Sequence, residues 1–460
     1  MPVRRILALG LAVLVAASSL AAADPMVLDA RAMRQLASKA IDAGFAQDAL
    51  EIVAQLLARD PADSTALILK SQALRILGQL PEAEAAARAA FAAAETDNGR
   101  YGAAMVLAQA LSLQDRRIEA QLWLRRAAEE APSAKALSIA RRDFDLVRAN
   151  TPLKLSFAMS MSPSSNVNNG ARDPVFELPS GYICPTGCLG GATGAALALS
   201  GFEGAVGMAA QLRWHDSQTA QGLLAATVNH GFVILSEAAQ ATAPTARASD
   251  FALTSLDLAV TEKRYEARHD TIYDGSVNLG RVWYGGAALT DYAAGKVEVS
   301  APLSETITLR TSLSHQWQFS AESGSLSARL SDGSLGLDAG LPGGDRIGAE
   351  VGFGVTTAPD AFAENERWSL QLSWQAHQPV LGMGLSALAQ FETLDYPESF
   401  YAFEGRHDRA ANLSVSAQLD KLDYMGFVPV ISLEAGRNWS NIGLYDSETF
   451  GLGLSVTSKF

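Results

Sequence analysis

From about residue 151 onward, apolar side chains fall on every second position, in runs of roughly 9–15 residues where a globular strand averages about 5–6. In Trp368-Ser369-Leu370-Gln371-Leu372-Ser373-Trp374-Gln375 the apolar set alternates with a polar one and carries Trp at both ends. Ile307, Leu309, Leu313, Trp317 and Phe319 alternate with Thr308, Arg310, Ser312, Ser314, Gln316 and Gln318. Leu413, Val415, Ala417 and Leu419 alternate with Asn412, Ser414, Ser416 and Gln418. The last run sets Phe450, Leu452, Leu454, Val456 and Phe460 against Gly451, Gly453, Ser455, Thr457 and Lys459. A period of two puts each set on its own face of a strand. A soluble sandwich alternates too. Length, a polar set rich in Gly and Ser that suits a wet lumen, and aromatics gathered at strand ends favour a transmembrane β-barrel.

The segments expected as strands are 154–162, 196–213, 219–235, 251–261, 271–284, 291–301 and 305–320, then 325–340, 346–357, 365–377, 381–393, 407–420, 426–437 and 447–460. Fourteen is even, so both ends of the barrel segment lie on one side of the membrane. Long loops at 163–195, 236–250, 394–406 and 438–446 then share the far side, and short ones such as Pro342-Gly343-Gly344-Asp345 the near side. That asymmetry is expected of outer-membrane barrels.

Residues 1–23 read as a secretory signal peptide. Arg4 and Arg5 precede an apolar run, Ile6 to Ala17, too short to span, and small residues Ser18 to Ala23 offer a cleavage site before Asp24. Composition changes again near Asn150-Thr151-Pro152, from Ala, Leu, Arg and Glu to Gly, Ser, Thr and aromatics. The expected domains are therefore 24–150, helical and periplasmic, and 151–460, the outer-membrane barrel. A chain 48% apolar and 18% charged is not intrinsically disordered. Residues 151–460 hold 18 basic and 32 acidic side chains, so no basic stripe exists for nucleic acid.

Residues 24–150 repeat. Gly44 and Gly78 are 34 apart, as are Ala49 and Ala83; Ala120 follows Ala83 by 37 and Pro132 follows Pro61 by 71. A period near 34 with small residues at helix crossings resembles the tetratricopeptide repeat, although its aromatic positions are mostly aliphatic here. The expected core stripes are Met33, Leu36, Ala37 and Ala40, then Ala49, Val53 and Leu56. Next come Leu67, Ser71 and Leu74 with Ala83, Ala87 and Ala90, and Leu107, Ala108 and Leu111 with Ala120, Leu124 and Ala127. A last helix is expected over about 133–149. Stacked helix pairs leave a concave face suited to an extended or helical segment of another protein. A plain helical bundle is the other reading.

Several motifs have both a structural and a functional reading. Asn166 and Asn168, in Ser165-Asn166-Val167-Asn168, are good turn formers. Arg406 and Asp408, in Gly405-Arg406-His407-Asp408, face one side of a strand, either as a lumenal pair that pins a loop or as client contacts. Pro429, in Gly426-Phe427-Val428-Pro429, removes a ladder donor; it weakens pairing near the barrel seam or marks a strand start. Cys184 and Cys188 are spaced for a small disulfide loop in an oxidising compartment. The six histidines are scattered, with no metal spacing, phosphate loop or nucleophile elbow, so neither enzyme nor cofactor is expected.

With the closing stretch Asn438-Trp439-Ser440-Asn441-Ile442-Gly443-Leu444-Tyr445 and terminal Phe460, these motifs resemble the surface lipoprotein assembly modulators (Slam proteins). That family joins a periplasmic tetratricopeptide domain to a 14-stranded barrel. The resemblance implies an outer-membrane translocator that moves surface lipoproteins, or related secreted proteins, from periplasm to cell surface. The implied partners are a client lipoprotein or secreted protein, outer-membrane lipid, and the barrel assembly machinery that reads a terminal Phe. It marks Asn166, Asn168, Arg406, Asp408, Pro429, Ser440, Asn441, Tyr445 and Phe460 as family-motif positions. The alternatives are an exopolysaccharide export porin with a periplasmic repeat domain, for which only about three repeats fit here, and a general porin.

Overall fold

The computed structural model describes residues 28–458; the signal segment 1–23 and Phe460 lie outside them. Seven helices precede the strands among the described residues: α1 (Ala30–Asp42), α2 (Ala46–Arg59), α3 (Ser64–Ile76), α4 (Leu80–Ala93), α5 (Asp97–Leu113), α6 (Arg117–Glu129) and α7 (Ala134–Ala149). The turns explain the repeat. Gly44, Gly78 and Asp115 take φ of 85°, 76° and 59°. Behind each, the next residue's N–H reaches back to the helix before it: Phe45 to Ala40 O, Gln79 to Leu74 O and Arg116 to Leu111 O, at 2.8, 2.9 and 3.0 Å. These are left-handed helix stops, which a residue without Cβ strain makes cheaply. The other helix starts are capped by side chains: Asp29, Asp63 and Ser133 accept from the N–H of Ala32, Ala66 and Ala136, and Thr96 from that of Gly99.

The chain divides into two compact units between Ala110 and Leu111, within α5. In the first, alanines let helices approach: Met33, Ala37, Val53, Leu56, Ala66 and Leu69 form one buried cluster, and Leu67, Ala90 and Ala103 another. Leu36 departs from the expected stripe and is 45% exposed. The core line of α1 follows Met33, Ala37 and Ile41 at a spacing of four, which turns Leu36 outward.

In the second unit, α6 and α7 accompany a closed antiparallel barrel. β1 (Leu153–Ser164) leads to a small hairpin, β2 (Val175–Leu178) and β3 (Cys188–Gly191). The wall continues as β4 (Gly201–Asp216), β5 (Ala220–Leu235), β6 (Leu253–Glu266), β7 (Thr271–Tyr284), β8 (Ala287–Pro302) and β9 (Ile307–Ser320). β10 (Leu326–Gly340), β11 (Arg346–Thr357), β12 (Asn365–Gln375), β13 (Gly384–Tyr396), β14 (Arg406–Gln418), β15 (Phe427–Ser440) and β16 (Ser447–Ser458) complete it. Each strand pairs with its neighbour in sequence, apart from the small hairpin, and β16 returns to β1. The fourteen expected strands are the fourteen of the wall.

Boundaries moved where turn chemistry decided them. β8 begins at Ala287, four residues before its expected start, because Gly285 and Gly286 both take positive φ and close a two-residue hairpin turn. β13 begins at Gly384 because Leu381 and Gly382 form another such turn, with Val380 and Met383 bridged. β4 begins at Gly201, not 196, since residues 194–196 coil into a short helical turn.

The wall is greasy outside. Outward positions such as Phe157, Met208, Val277, Leu313 and Phe450 are exposed, with polar partners such as Ser312, Ser314 and Ser369 on the opposite face. A closed cylinder also leaves no row of unpaired backbone groups to lipid, which is what a bilayer demands of strands. No helix among the described residues is long and apolar enough to cross a membrane; this barrel crosses with strands.

Candidate functional site

The lumenal face of β6–β13 carries ion pairs, most of them between strands and one within β8. Lys263 Nζ lies 3.1 Å from Asp274 Oδ2, and Lys296 Nζ 2.7 Å from Glu298 Oε2. Arg310 Nε is 2.6 Å from Asp338 Oδ2, with Glu350 at 3.9 Å. Arg367 joins Asp332 and reaches to 3.8 Å of Glu392. Register puts these residues on one face: Lys263 faces Asp274 directly, Lys296 and Glu298 are two apart on β8, Arg310 and Asp338 are offset by two, and Arg367 reaches Asp332 over Gly354 of the strand between. The β15–β16–β1 side is different: Ser432, Gly451, Gly453, Ser455, Ser160 and Ser162 give it small side chains. A cavity of about 390 Å³ lies there, with Glu203 and Glu434 in its lining. Another, of about 890 Å³, opens between Thr308, Asp338, Ser373, Ser386 and Ser414. A third hollow, about 1210 Å³, is bounded by Val277, Val297, Leu313, Leu335 and Val351. Those residues belong to the apolar face, so it is a lipid-facing furrow, not a polar ligand site.

At the end bearing the long loops, most of the motif residues meet. Asn166 is 2% exposed; its amide donates to Gly170 O (3.0 Å) and accepts from Gly170 N (2.9 Å). Asn168 donates to Ala195 O and Leu197 O and accepts from Leu199 N, at 2.8–2.9 Å. Both amides thus act as backbone substitutes within the 165–200 loop. Asn441 does the same across strands, accepting from His407 N (2.8 Å) and donating to Gly405 O (3.0 Å). Ser440 Oγ accepts from Ile442 N at 3.2 Å. Arg406 lies with its guanidinium carbon 3.7 Å from the Tyr396 ring centre and 4.1 Å from that of Tyr445, and its Nε is 3.1 Å from Asp408 Oδ2. A cation between two aromatic faces, paired with a carboxylate only 7% exposed, is a rigid strut. Gly405, at φ 86°, passes so near Tyr396 O that a Cβ would sit 2.2 Å from it.

These struts hold a packed loop layer. Leu178, Ala402 and Ile442 are buried together, with Phe176, Tyr401 and Tyr445 around them. Phe403 N donates to Ser180 O, and Arg172 N to Asp446 O. Cys184 and Cys188 are disulfide-bonded in the same loop. A second loop core joins Leu199 and Leu235 to Ala239 on the short helix α8 (Glu237–Thr242) and to Ala243 just after it. Sequence reading missed this layer, because its members lie in four separate loops; the signal was apolar residues such as Phe176, Ile442 and Leu444 inside turn-rich stretches.

Pro429 lies apart, at the third position of β15 near the other end, where its carbonyl accepts from Leu419 N (2.9 Å). That end carries α6 and α7. Arg125 donates to Met425 O (3.1 Å) and Ser458 Oγ (2.8 Å), between the rings of Phe144 and Phe427. Burial is the first cause that pushes its pKa below the ordinary guanidinium value. Met425 N donates to Glu129 Oε2 at 2.8 Å, Gln121 reaches Thr151, and Arg213 reaches Ala149 O. Arg125 and Arg213 went unremarked in the sequence; nothing local distinguishes them from solvated helix or strand arginines. On the short turn 341–345, Asp345 accepts from His377 N (3.0 Å) and Trp374 Nε1 (3.1 Å). The His377 hydrogen bond, then that of Trp374, holds its carboxyl below the usual range.

No protein-family profile matches the chain, and no curated protein matches it. Among solved structures it is similar to OccAB3 of Acinetobacter baumannii, at 6% identity and TM-score 0.35, over 66% of this chain and 98% of that one. It is similar to a BenF-like porin from Pseudomonas fluorescens Pf-5, at 9% identity and TM-score 0.35, over 66% and 99%. It is similar to a bacterial polysaccharide outer membrane secretin, at 8% identity and TM-score 0.33, over 66% and 98%. The barrel rests on its own strand pairing rather than on these likenesses.

Proposed function

We propose that the protein is an outer-membrane translocator that carries surface lipoproteins, or related secreted proteins, from the periplasm to the cell surface. The observation that carries this reading is the fusion of two devices in one chain: repeated helix pairs of the kind that grip polypeptide, and a polar-lined barrel whose near end is tied to α6 and α7 through Arg125, Glu129 and Gln121. In this reading the helical segment lies in the periplasm and the packed loop layer faces outward.

Size then sets the state of the cargo. A 14-stranded barrel tilted near 40° has a backbone radius of roughly 14 Å, and the lumenal side chains narrow it. A folded domain of about 100 residues is well over 30 Å across. The client therefore crosses unfolded. Client folding outside, a partner or a gradient supplies the energy.

Protease shaving of intact cells, with and without the protein, tests the reading: lipoproteins that vanish from the surface on deletion are its clients. Unchanged surface lipoproteins together with solute flux through the purified protein would establish a general porin instead. A client locked by an engineered disulfide is expected to stay inside; undiminished display of the locked form refutes passage as an unfolded chain.

A further inference from the structure

The lipid-facing wall carries four arginines at one depth. Register assigns their face: Arg281 stands opposite Leu256 and Asp291, Arg329 opposite Trp317, Arg409 opposite Thr393 and Trp439, and Arg437 opposite Ala411 and Glu448. Each alternates with the lumenal set of its strand and so points outward. Each is also the fourth residue from the loop end of its strand, on β7, β10, β14 and β15. A tryptophan accompanies every one. For Arg329 and Arg409 it is the registered partner. For Arg281 and Arg437 it lies two residues along, with the guanidinium carbon 5.9 and 5.7 Å from the ring centres of Trp283 and Trp439. Toward the other end of the same face, Arg264 pairs with Glu262 at 3.5 Å.

Two of the four are neutralised within the chain. Arg281 gives Asp291 two hydrogen bonds, of 2.5 and 2.7 Å, and Arg437 lies 2.6 Å from Asp446. Arg329 and Arg409 are exposed, with neither a carboxylate partner nor a side-chain hydrogen bond among the described residues. A cation turned toward a bilayer is costly unless an anion meets it. Around Arg409 the wall is shaped as well as charged. Trp368, Thr393, Arg409 and Trp439 form one registered row, and Leu370, Phe391 and Ala411 form the next row away from the loops. Two apolar furrows open here, of about 790 and 560 Å³, and they share Phe391, Ala411 and Trp439. Arg409 lines the first and Arg437 the second.

We propose that this patch, with Arg409 at its head, seats a phosphorylated and multiply acylated glycolipid of the outer leaflet, the chemistry of lipid A. The inference rests on the outward placement of the loop layer in the reading above. A guanidinium takes a phosphate through parallel N–H donors, and indoles beside it sit at headgroup level. The acyl chains lie in the furrows, over Phe391 and Ala411, where small Ala411 leaves the depth. Two adjoining furrows suit more chains than the pair a phospholipid brings, which selects the glycolipid. Arg329, four strands round the wall, meets the phosphate of a neighbouring lipid.

Binding is read by native mass spectrometry on the full mature protein in detergent, with heat-modifiable migration on gels as the check of a closed barrel. The probes are diphosphorylated lipid A, its dephosphorylated form and phosphatidylglycerol. Diphosphorylated lipid A is expected to bind in preference to the other two. Arg409→Gln is expected to weaken it about tenfold, and Arg264→Gln, at the other end of the same face, to leave it unchanged. Ala411→Phe fills the furrow with the charge intact; it is expected to weaken binding too, and it decides should Arg409→Gln fail to fold. Unchanged binding in these two variants overturns the seat, as does equal loss in Arg264→Gln. Dephosphorylated lipid A held as tightly overturns the phosphate contact, and phosphatidylglycerol held as tightly overturns the glycolipid. Thr245→Cys, in the exposed loop before β6, is treated on intact cells with a membrane-impermeant maleimide. Labelling supports the outward loops, and a failed lipid result then removes this inference alone. Absence of labelling, in protein recovered from the outer membrane, removes the outward placement and this inference with it.

Discussion

Asn166 illustrates what one buried amide does here. Its side chain closes a hydrogen-bonded ring with Gly170 and also reaches Glu448 O at 3.4 Å, so it ties the 165–200 loop to β16. Asn166→Ala leaves backbone groups unpaired and is expected to cost about 1–3 kcal/mol of local stability. Limited proteolysis then cuts within 165–200 at lower protease, and unchanged cleavage contradicts the role. Asp345 gives a pH dependence at the other end. Its carboxyl is held below its ordinary value, so the stability it adds is present above the unfolded pKa and lost as pH falls through the folded one. The protection of the His377 amide, relative to its intrinsic exchange rate, is expected to fall as pH drops below about 4, and Asp345→Asn is expected to remove that loss of protection. The Asn and Arg-x-Asp motifs were legible in sequence as turn formers and a same-face pair. The Tyr396 and Tyr445 rings on either side of Arg406 were not, because they come from β13 and from the loop before β16.

At the scale of the element, the helices and strands follow local rules. Asp63 caps α3 and also takes the Arg34 guanidinium at 2.9 Å. Asp63→Ala is expected to destabilise the α1–α4 unit by about 1–2 kcal/mol, with Asp63→Asn retaining most of the cap. Denaturation followed by helical circular dichroism checks this, and equal loss for Ala and Asn refutes the cap as the cause. The 34-residue step between Gly44 and Gly78 was readable because both stop a helix in the left-handed region. The third stop, Asp115, was hidden, since an aspartate gives no such signal unless its backbone is seen. Likewise period two located all fourteen wall strands, while their ends shifted with turns such as Gly285-Gly286 and Leu381-Gly382, which extend or trim a strand without disturbing its alternation.

For the whole molecule, the consequential feature is closure: fourteen antiparallel strands pair in sequence order and β16 returns to β1. For the proposed translocator, protease shaving of cells with and without the protein is the measurement made at this scale. The sequence by itself determined the class of the barrel, its strand number and the helical repeat, because each depends on a period that neighbouring residues write into the chain. It also placed Cys184 and Cys188 close enough to bond, as they do. Only the tertiary structure decided that three loops share a core around Leu178, Ala402 and Ile442, and that Arg125 grips Ser458 of β16. Those depend on which distant segments become neighbours once the cylinder closes, and pairing across a closure is fixed by the geometry of the whole ring, not by the pattern within any one strand.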